Sequence, residues 1–257
     1  MPDTPLLVCD FDGVLVDGMP EYWWSARRAA LRLQPGLQLP EQAPSGFARL
    51  RPLMHKGWEM VLMAAELTRP DLDLEALLAS YADTLPRVLD RWGWRSEQLQ
   101  AVLEQVRGQA LADDLPAWLA LHRFYPGVAE RLRRLPDEHS EWLVLTTKGA
   151  TFARRILEAA GLEPRSVYGH EHGSKPDVLE HLLTERRPVW FLEDRRPTLE
   201  QVRARPQLQA VRCFLASWGY LAPGDAQALP EAIQWLVPAQ FEKPLAQWPG
   251  SDKVRLY

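Results

Sequence analysis

The sequence predicts an α/β protein, a parallel sheet core interrupted by an all-helical insertion. Three observations carry this. Apolar runs of strand length recur at residues 6–10, 142–146, 189–193 and 211–215, with a weaker one at 166–168. Helical segments separate the later runs, the alternation that builds a parallel sheet with crossovers. Between about Gly18 and His122 no strand pattern occurs, and the chain reads as helix after helix.

Taken in order, the first run is Leu6-Leu7-Val8-Cys9, closed by Asp10-Phe11-Asp12-Gly13. Four apolar residues before a glycine turn read as a buried strand. If the strand continues that far, its period of two points Asp10 and Asp12 to the same side. The insertion contains helical segments at 21–33, 47–68, 73–85, 96–108 and 111–121, punctuated by Pro35-Gly36, Pro40, Pro44, Pro70-Asp71 and Gly93. Further helices are expected at 127–135, after the start signal Pro126-Gly127, at 151–160, before the stop at Gly161, and at 176–183 and 198–204. The domain boundaries that follow are 1–17 with 123–237 for the sheet core and 18–122 for the insertion. Residues 238–257 form a tail with three prolines and little periodicity, expected as a surface arm or partly disordered.

Composition narrows the class. The chain has 257 residues, 46% of them hydrophobic, enough to bury a sizeable core. A net charge of −4 gives no general attraction to nucleic acid or anionic membranes. Cys9 and Cys213 are too few for a disulfide framework or a zinc site and read as buried strand thiols. No apolar run approaches the ~20 residues of a membrane span, and Met1 to Pro5 lack a signal-peptide pattern. A cytoplasmic setting is the resulting expectation.

The chemistry concentrates at predicted strand ends. Ionised carboxylates at the end of a buried strand are costly unless a cation or a ligand offsets them. The carboxyl edge of a parallel sheet is also where α/β proteins place ligands. Three further short motifs lie at such positions: Leu143-Val144-Leu145-Thr146-Thr147-Lys148-Gly149, Gly173-Ser174-Lys175-Pro176 and Phe191-Leu192-Glu193-Asp194. Taken singly each has a plain reading. Asp-x-Asp-Gly makes turns, threonine suits a strand end, Lys175-Pro176 opens a helix, and Glu193-Asp194 cap one. Those readings do not explain why all four motifs fall at one edge of the sheet.

With the four motifs in this order, the chain resembles a haloacid dehalogenase superfamily hydrolase with a helical cap after the first strand, in the style of the phosphoglycolate phosphatase and β-phosphoglucomutase branch. Two softer echoes are Phe124-Tyr125-Pro126-Gly127-Val128 and Ser217-Trp218-Gly219-Tyr220. The resemblance implies a Rossmann-like core and a Mg²⁺-dependent phosphomonoester hydrolase acting on a small phosphorylated metabolite through an aspartyl-phosphate. It implies Asp10 as nucleophile and Asp12 as general acid and base, a role worth on the order of 10²–10⁴ in rate. Thr146 and Lys175 would engage the phosphoryl oxygens, with the Thr147 backbone N–H beside them. Mg²⁺ would be held by Asp10, the Asp12 carbonyl and Asp194, with Glu193 reaching it directly or through water. The presence of Asp12 favours phosphate esters over halides or phosphonates.

Within the insertion, the basic stretch at 49–59 is the expected specificity element, with Arg51, His55 and Lys56 as candidate substrate ligands. A solvated helix face is the equal alternative. Six of the eleven tryptophans lie in the insertion and read as helix packing. One position departs from the pattern: four residues after Asp194, where many members of the superfamily carry an acid, stands Thr198. Arg195 and Arg196 are unusual so close to the metal acids; they either orient the loop by ion pairing or face solvent, and solvent is the expectation. These departures keep a non-catalytic binding or regulatory protein as an alternative reading, beside a sugar-phosphate mutase. Oligomeric state is open.

Overall fold

The computed structural model describes residues 4–249. Its centre is a six-stranded, all-parallel sheet in the order β5-β4-β1-β6-β7-β8. The strands are β1 (Leu6–Cys9), β4 (Trp142–Leu145), β5 (Val167–Tyr168), β6 (Val189–Glu193), β7 (Arg212–Ala216) and β8 (Ile233–Leu236). Two short strands, β2 (Val16–Asp17) and β3 (Arg123–Phe124), pair antiparallel as a separate ribbon. The chain proceeds from β1 outward to β4 and β5, then returns to the other side of β1 for β6, β7 and β8. That reversal puts β1 between β4 and β6, in register at Val8 with Leu143 and Phe191. The carboxyl ends of these three strands therefore open onto one crevice.

The strands read as continuous apolar runs because both faces are covered. β1, β4 and β6 are buried at every residue. One face packs Val8, Leu143, Phe191 and Leu215 against Leu179, Leu182, Leu199 and Val202. Those last four belong to α9 (Lys175–Leu183) and α10 (Arg196–Ala204). Each such side chain removed from water contributes about 1.5–3 kcal/mol.

The chain divides into two compact units, Gly18–His122 and the chain on either side of it. Gly18–His122 contains helices and no strand: α1 (Met19–Leu33), α2 (Ser45–Leu50), α3 (Gly57–Glu66), α4 (Leu74–Ala79), α5 (Tyr81–Trp92) and α6 (Ser96–Leu119). Helices α1, α3 and α6 pack on one another. Their interior is Tyr22, Ala26, Ala30, Val61, Leu62, Ala65, Leu99 and Leu103.

Four expected helices differ in their breaks. The run at 47–68 divides into α2, a 3₁₀ turn at Arg51–Leu53 and α3. Pro52 lacks a donor, and the Glu59 carboxylate accepts from the His55 and Lys56 backbone N–H groups, so it starts a new helix. Ser80 divides 73–85 into α4 and α5. Conversely, the segments at 96–108 and 111–121 merge into α6, broken only at Asp114 (φ −155°, ψ 78°), whose carboxylate caps Ala117 N–H at 3.0 Å ahead of the turn containing Pro116.

The sixth strand, β8, lies in a segment with no clear strand pattern. Over residues 238–249 the tail is a mostly exposed arm held to the core by three buried side chains; residues 250–257 lie outside the described part. Phe241, Leu245 and Trp248 are buried, and Trp248 packs 5.8 Å from Trp190 and 5.1 Å from Phe214. Arg131, on α7 (Val128–Arg134), fastens this segment. It donates to the Phe241 carbonyl at 3.0 Å and pairs with Glu138, whose carboxylate accepts from Leu245 N–H.

Candidate active site

Strand β1 stops at Cys9, so Asp10 lies just past the sheet edge, its N–H donating to the Leu192 carbonyl of β6 at 2.8 Å. The pleat does not reach Asp12. A turn places it instead, closed by Gly13 N–H to the Val16 carbonyl at 2.9 Å. Gly13 has φ +92°, and a Cβ there would lie 1.9 Å from Asp194 Oδ2. Glycine at 13 is therefore required by conformation and by contact.

Thr146 follows β4, Lys175 is the first residue of α9, and Glu193 ends β6 with Asp194 next. Asp10, Asp12, Thr146, Lys175, Glu193 and Asp194 are all buried. The Lys175 ammonium lies 2.7 Å from Asp10 Oδ1 and 2.6 Å from Glu193 Oε2. Towards Asp10 it is close as an ion pair but poorly aligned as a hydrogen bond, so that oxygen has no directional donor. Glu193 is better served. Its second oxygen accepts from the Asp194 and Arg195 backbone N–H groups at 3.1 Å each. Asp194 Oδ2 accepts from Tyr220 N–H at 2.7 Å.

Lys148 is the functional candidate that sequence reasoning passed over. It is 3% exposed, its ammonium lies 3.4 Å from Asp12 Oδ1, and its N–H donates to Thr146 Oγ1 at 3.0 Å. Its signal was a lysine two residues after the strand-end threonine. Thr147, half-buried, begins the same turn.

Electrostatics set the protonation states. Burial drives the Asp10 carboxyl up, the Glu193 charge drives it further, and Lys175 only partly offsets both, leaving it at about 7. Burial alone would lower the Lys175 ammonium, but Asp10 and Glu193 hold it well above its ordinary value. Burial also opposes ionisation of Glu193, and Lys175 outweighs that, so Glu193 lies below its usual range.

A divalent cation fits this set. One carboxylate oxygen from each of Asp10, Glu193 and Asp194 lies within 4.8 Å of the others. Four buried acids (Asp10, Asp12, Glu193, Asp194) outnumber two buried ammonium groups (Lys148, Lys175), so with every acid ionised two negative charges are left to offset. Asp10, lacking an aligned donor, and Asp194 are better placed to take a cation than Glu193, which three donors already hold.

The remaining candidates belong to the helical unit. Arg51 is buried with its guanidinium 4.8 Å over the Tyr22 ring. His55 and Lys56 lead into α3, Lys56 exposed. A cavity of about 490 Å³ in the same unit is lined by Trp24, Arg28, Arg32 and Trp118, among others, and by none of the expected site residues. Thr198 is buried at the start of α10. Arg196 does not simply face solvent. It pairs with Glu200 at 2.7 Å and donates to the carbonyls of Asp225, Gln227 and Ala228, tying down the loop before β8.

No family model matches the sequence. No curated protein matches it either. Solved structures do match across nearly the whole chain. A predicted phosphoglycolate phosphatase from Haemophilus somnus is 16% identical, covers 91% of this chain and 94% of its own, and superposes with a TM-score of 0.58. A predicted phosphatase from Clostridium acetobutylicum is 13% identical, with 93% and 96% covered and a TM-score of 0.58. A haloacid dehalogenase-like hydrolase from Streptococcus pneumoniae is 14% identical, with 90% and 93% covered and a TM-score of 0.54. The fold is that of the haloacid dehalogenase-like phosphatases, an α/β Rossmann-like core with an inserted helical unit.

Proposed function

We propose that this protein is a Mg²⁺-dependent phosphomonoester hydrolase acting on a small phosphorylated metabolite. The observation that carries the reading is the buried set Asp10, Asp12, Lys148, Lys175, Glu193 and Asp194 at one sheet edge, in which four acids outnumber two lysines. Such a set is ready for a cation and a phosphoryl group together.

In this reading Asp10, Asp194 and the Asp12 carbonyl would hold Mg²⁺, which would supply positive charge to keep Asp10 ionised and to offset the phosphoryl oxygens. Asp10 attacks phosphorus as the bond to the leaving oxygen breaks, and Asp12, which enters the step protonated, gives that oxygen its proton. Water then attacks the aspartyl-phosphate. Asp12 takes the water's proton, the Asp10–phosphorus bond breaks, and both carboxyl groups return to their starting states. Thr146 Oγ and the Lys175 ammonium donate to the transferring group. Lys148 holds the Asp12 carboxylate in place. Arg51, His55 and Lys56 stay as candidates for selecting the substrate's remaining part.

The test is hydrolysis of an aryl phosphate and a panel of metabolite phosphates with Mg²⁺ and with EDTA. Turnover should appear with Mg²⁺ and vanish with EDTA. Asp10→Asn should lower kcat by at least about 10³ while the circular dichroism spectrum is unchanged. Full activity of that variant removes Asp10 from the mechanism. Absent turnover over the whole panel, with no Mg²⁺ binding, would favour a non-catalytic protein, and isomerisation of a sugar phosphate would favour a mutase.

A further inference from the structure

The segment Ser217-Trp218-Gly219-Tyr220 follows β7 and has no part in the chemistry above. We propose that it is a clamp that fixes the two halves of the acid set relative to each other, and that Trp218, Gly219 and Tyr220 are positioning residues for the metal acids. The inference rests on the hydrolase reading of the same site.

Four observations support it. Tyr220 N–H donates to Asp194 Oδ2 at 2.7 Å, fixing the rotation of that carboxylate. The Tyr220 hydroxyl donates to Asp17 Oδ1 at 2.5 Å, and Trp218 Nε1–H donates to the Val14 carbonyl at 3.0 Å. Both acceptors lie on the segment that carries Asp10 and Asp12. Gly219 completes the arrangement by what it lacks: a Cβ there would lie 2.3 Å from Asp194 Cβ and 2.4 Å from the Gly13 carbonyl oxygen. The Asp194 carboxylate therefore sits between two glycines, Gly13 and Gly219. The Trp218 ring in turn packs 5.3 Å from Phe241, which anchors the loop in the core.

Carboxylates that bind a metal are aimed by their outer hydrogen bonds, and loss of such a bond typically lowers metal affinity by about 10–100-fold. Here one loop donates to the Asp194 carboxylate and to the backbone and side chain of the segment that follows Asp10 and Asp12. Pairing of β1 with β6 and the Asp10 N–H bond to the Leu192 carbonyl set the backbone spacing of Asp10 and Asp194, but not the aim of the Asp194 carboxylate or the turn after Asp12. Loop 217–220 bridges that carboxylate and that turn.

The experiment measures Mg²⁺ binding by titration calorimetry, without substrate, for the wild type and for Gly219→Ala, Trp218→Phe and Tyr220→Phe. Aryl phosphate hydrolysis over a Mg²⁺ series is measured alongside. Gly219→Ala should weaken Mg²⁺ binding by about tenfold or more. The two conservative variants each lose one hydrogen bond, to the Val14 carbonyl and to the Asp17 carboxylate respectively, and should weaken it by about threefold to tenfold. Their kcat should recover at high Mg²⁺, which a merely destabilised fold would not do. If Gly219→Ala does not fold, the other two variants decide. Wild-type affinity in both Trp218→Phe and Tyr220→Phe overturns the clamp and leaves the hydrolase reading untouched. Weakened binding in the variants of a wild type that hydrolyses no phosphate ester keeps the clamp and sinks the hydrolase. A wild type that binds no Mg²⁺ overturns the clamp.

Discussion

Each unit of this protein buries a cluster of charges, and the two clusters are finished differently. In the helical unit Glu21 meets Arg107 in a two-point ion pair, at 2.7 and 2.8 Å. Ser25 donates to the same carboxylate, and His122 Nε2 lies 3.9 Å away. One acid meets one guanidinium in matched geometry, so this pair closes on itself. In the sheet unit four acids meet two lysines, and Asp10 holds its proton up to about pH 7. The first cluster is complete as folded, whereas the second needs something more. A buried charge pair is weak evidence of function, and a buried imbalance of charge is stronger evidence.

The sharpest way to break this comparison is to remove one cation from each cluster. Arg107→Met leaves Glu21 buried beside an apolar side chain and should cost about 3–5 kcal/mol in denaturant unfolding, with or without Mg²⁺. Replacing Glu21 and Arg107 together by methionine should recover most of that loss. Lys175→Met should also destabilise, but Mg²⁺ should restore part of the loss, because a cation can take the place of the missing ammonium. Equal Mg²⁺ responses in the two single variants would remove the distinction between the clusters.

A smaller effect concerns the cation itself. Mg²⁺ at one hundred times its Kd should stabilise the wild type by about 2.7 kcal/mol, read as a rise in Tm that EDTA reverses. Asp10→Asn should lose most of that rise, and a wild-type Tm indifferent to Mg²⁺ would count against the metal site.

A further effect is on pH. Folded Asp10 releases its proton at about 7, against an ordinary value of 3.8. Between about pH 4 and pH 7 the folded state therefore binds more protons than the unfolded one. In the metal-free protein the Asp10 contribution to stability is full below about pH 4 and is lost as pH rises through about 7. Glu193 has the opposite sign at lower pH: its contribution is full above its ordinary 4.5 and is lost as pH falls below it. Protons and Mg²⁺ compete for Asp10, so Mg²⁺ affinity should fall about tenfold per pH unit below about 7, measured by calorimetry at several pH values. A flat profile would show that Asp10 is not the competing group.

Much of this was legible in the chain. Leu6 to Cys9, Trp142 to Leu145 and Val189 to Glu193 are apolar throughout because both faces of a parallel sheet are covered, and such runs are readable without coordinates. The block at 18–122 was legible because helical periodicity runs through it unbroken by strands. Asp10, Asp12, Lys175 and Asp194 were legible because buried ionisable residues at strand ends and helix starts need a chemical reason. Strand β8 and the packing of Trp248 were not, since both depend on a sheet edge and a core surface built by residues far away in the chain. Lys148 was quoted in its motif without a role, because only the folded turn carries its ammonium to Asp12.

By itself, then, the sequence determined the strands nearest the site, the helical character of residues 18–122 and most of the residues that can do chemistry, since those follow from local periodicity and side-chain type. Tertiary structure alone decided the charge balance around Asp10, the closure of the Glu21–Arg107 pair and the seating of Asp194 between Gly13 and Gly219. Each depends on distances of a few ångströms between residues remote in the chain, and electrostatic and steric energies change steeply over such distances.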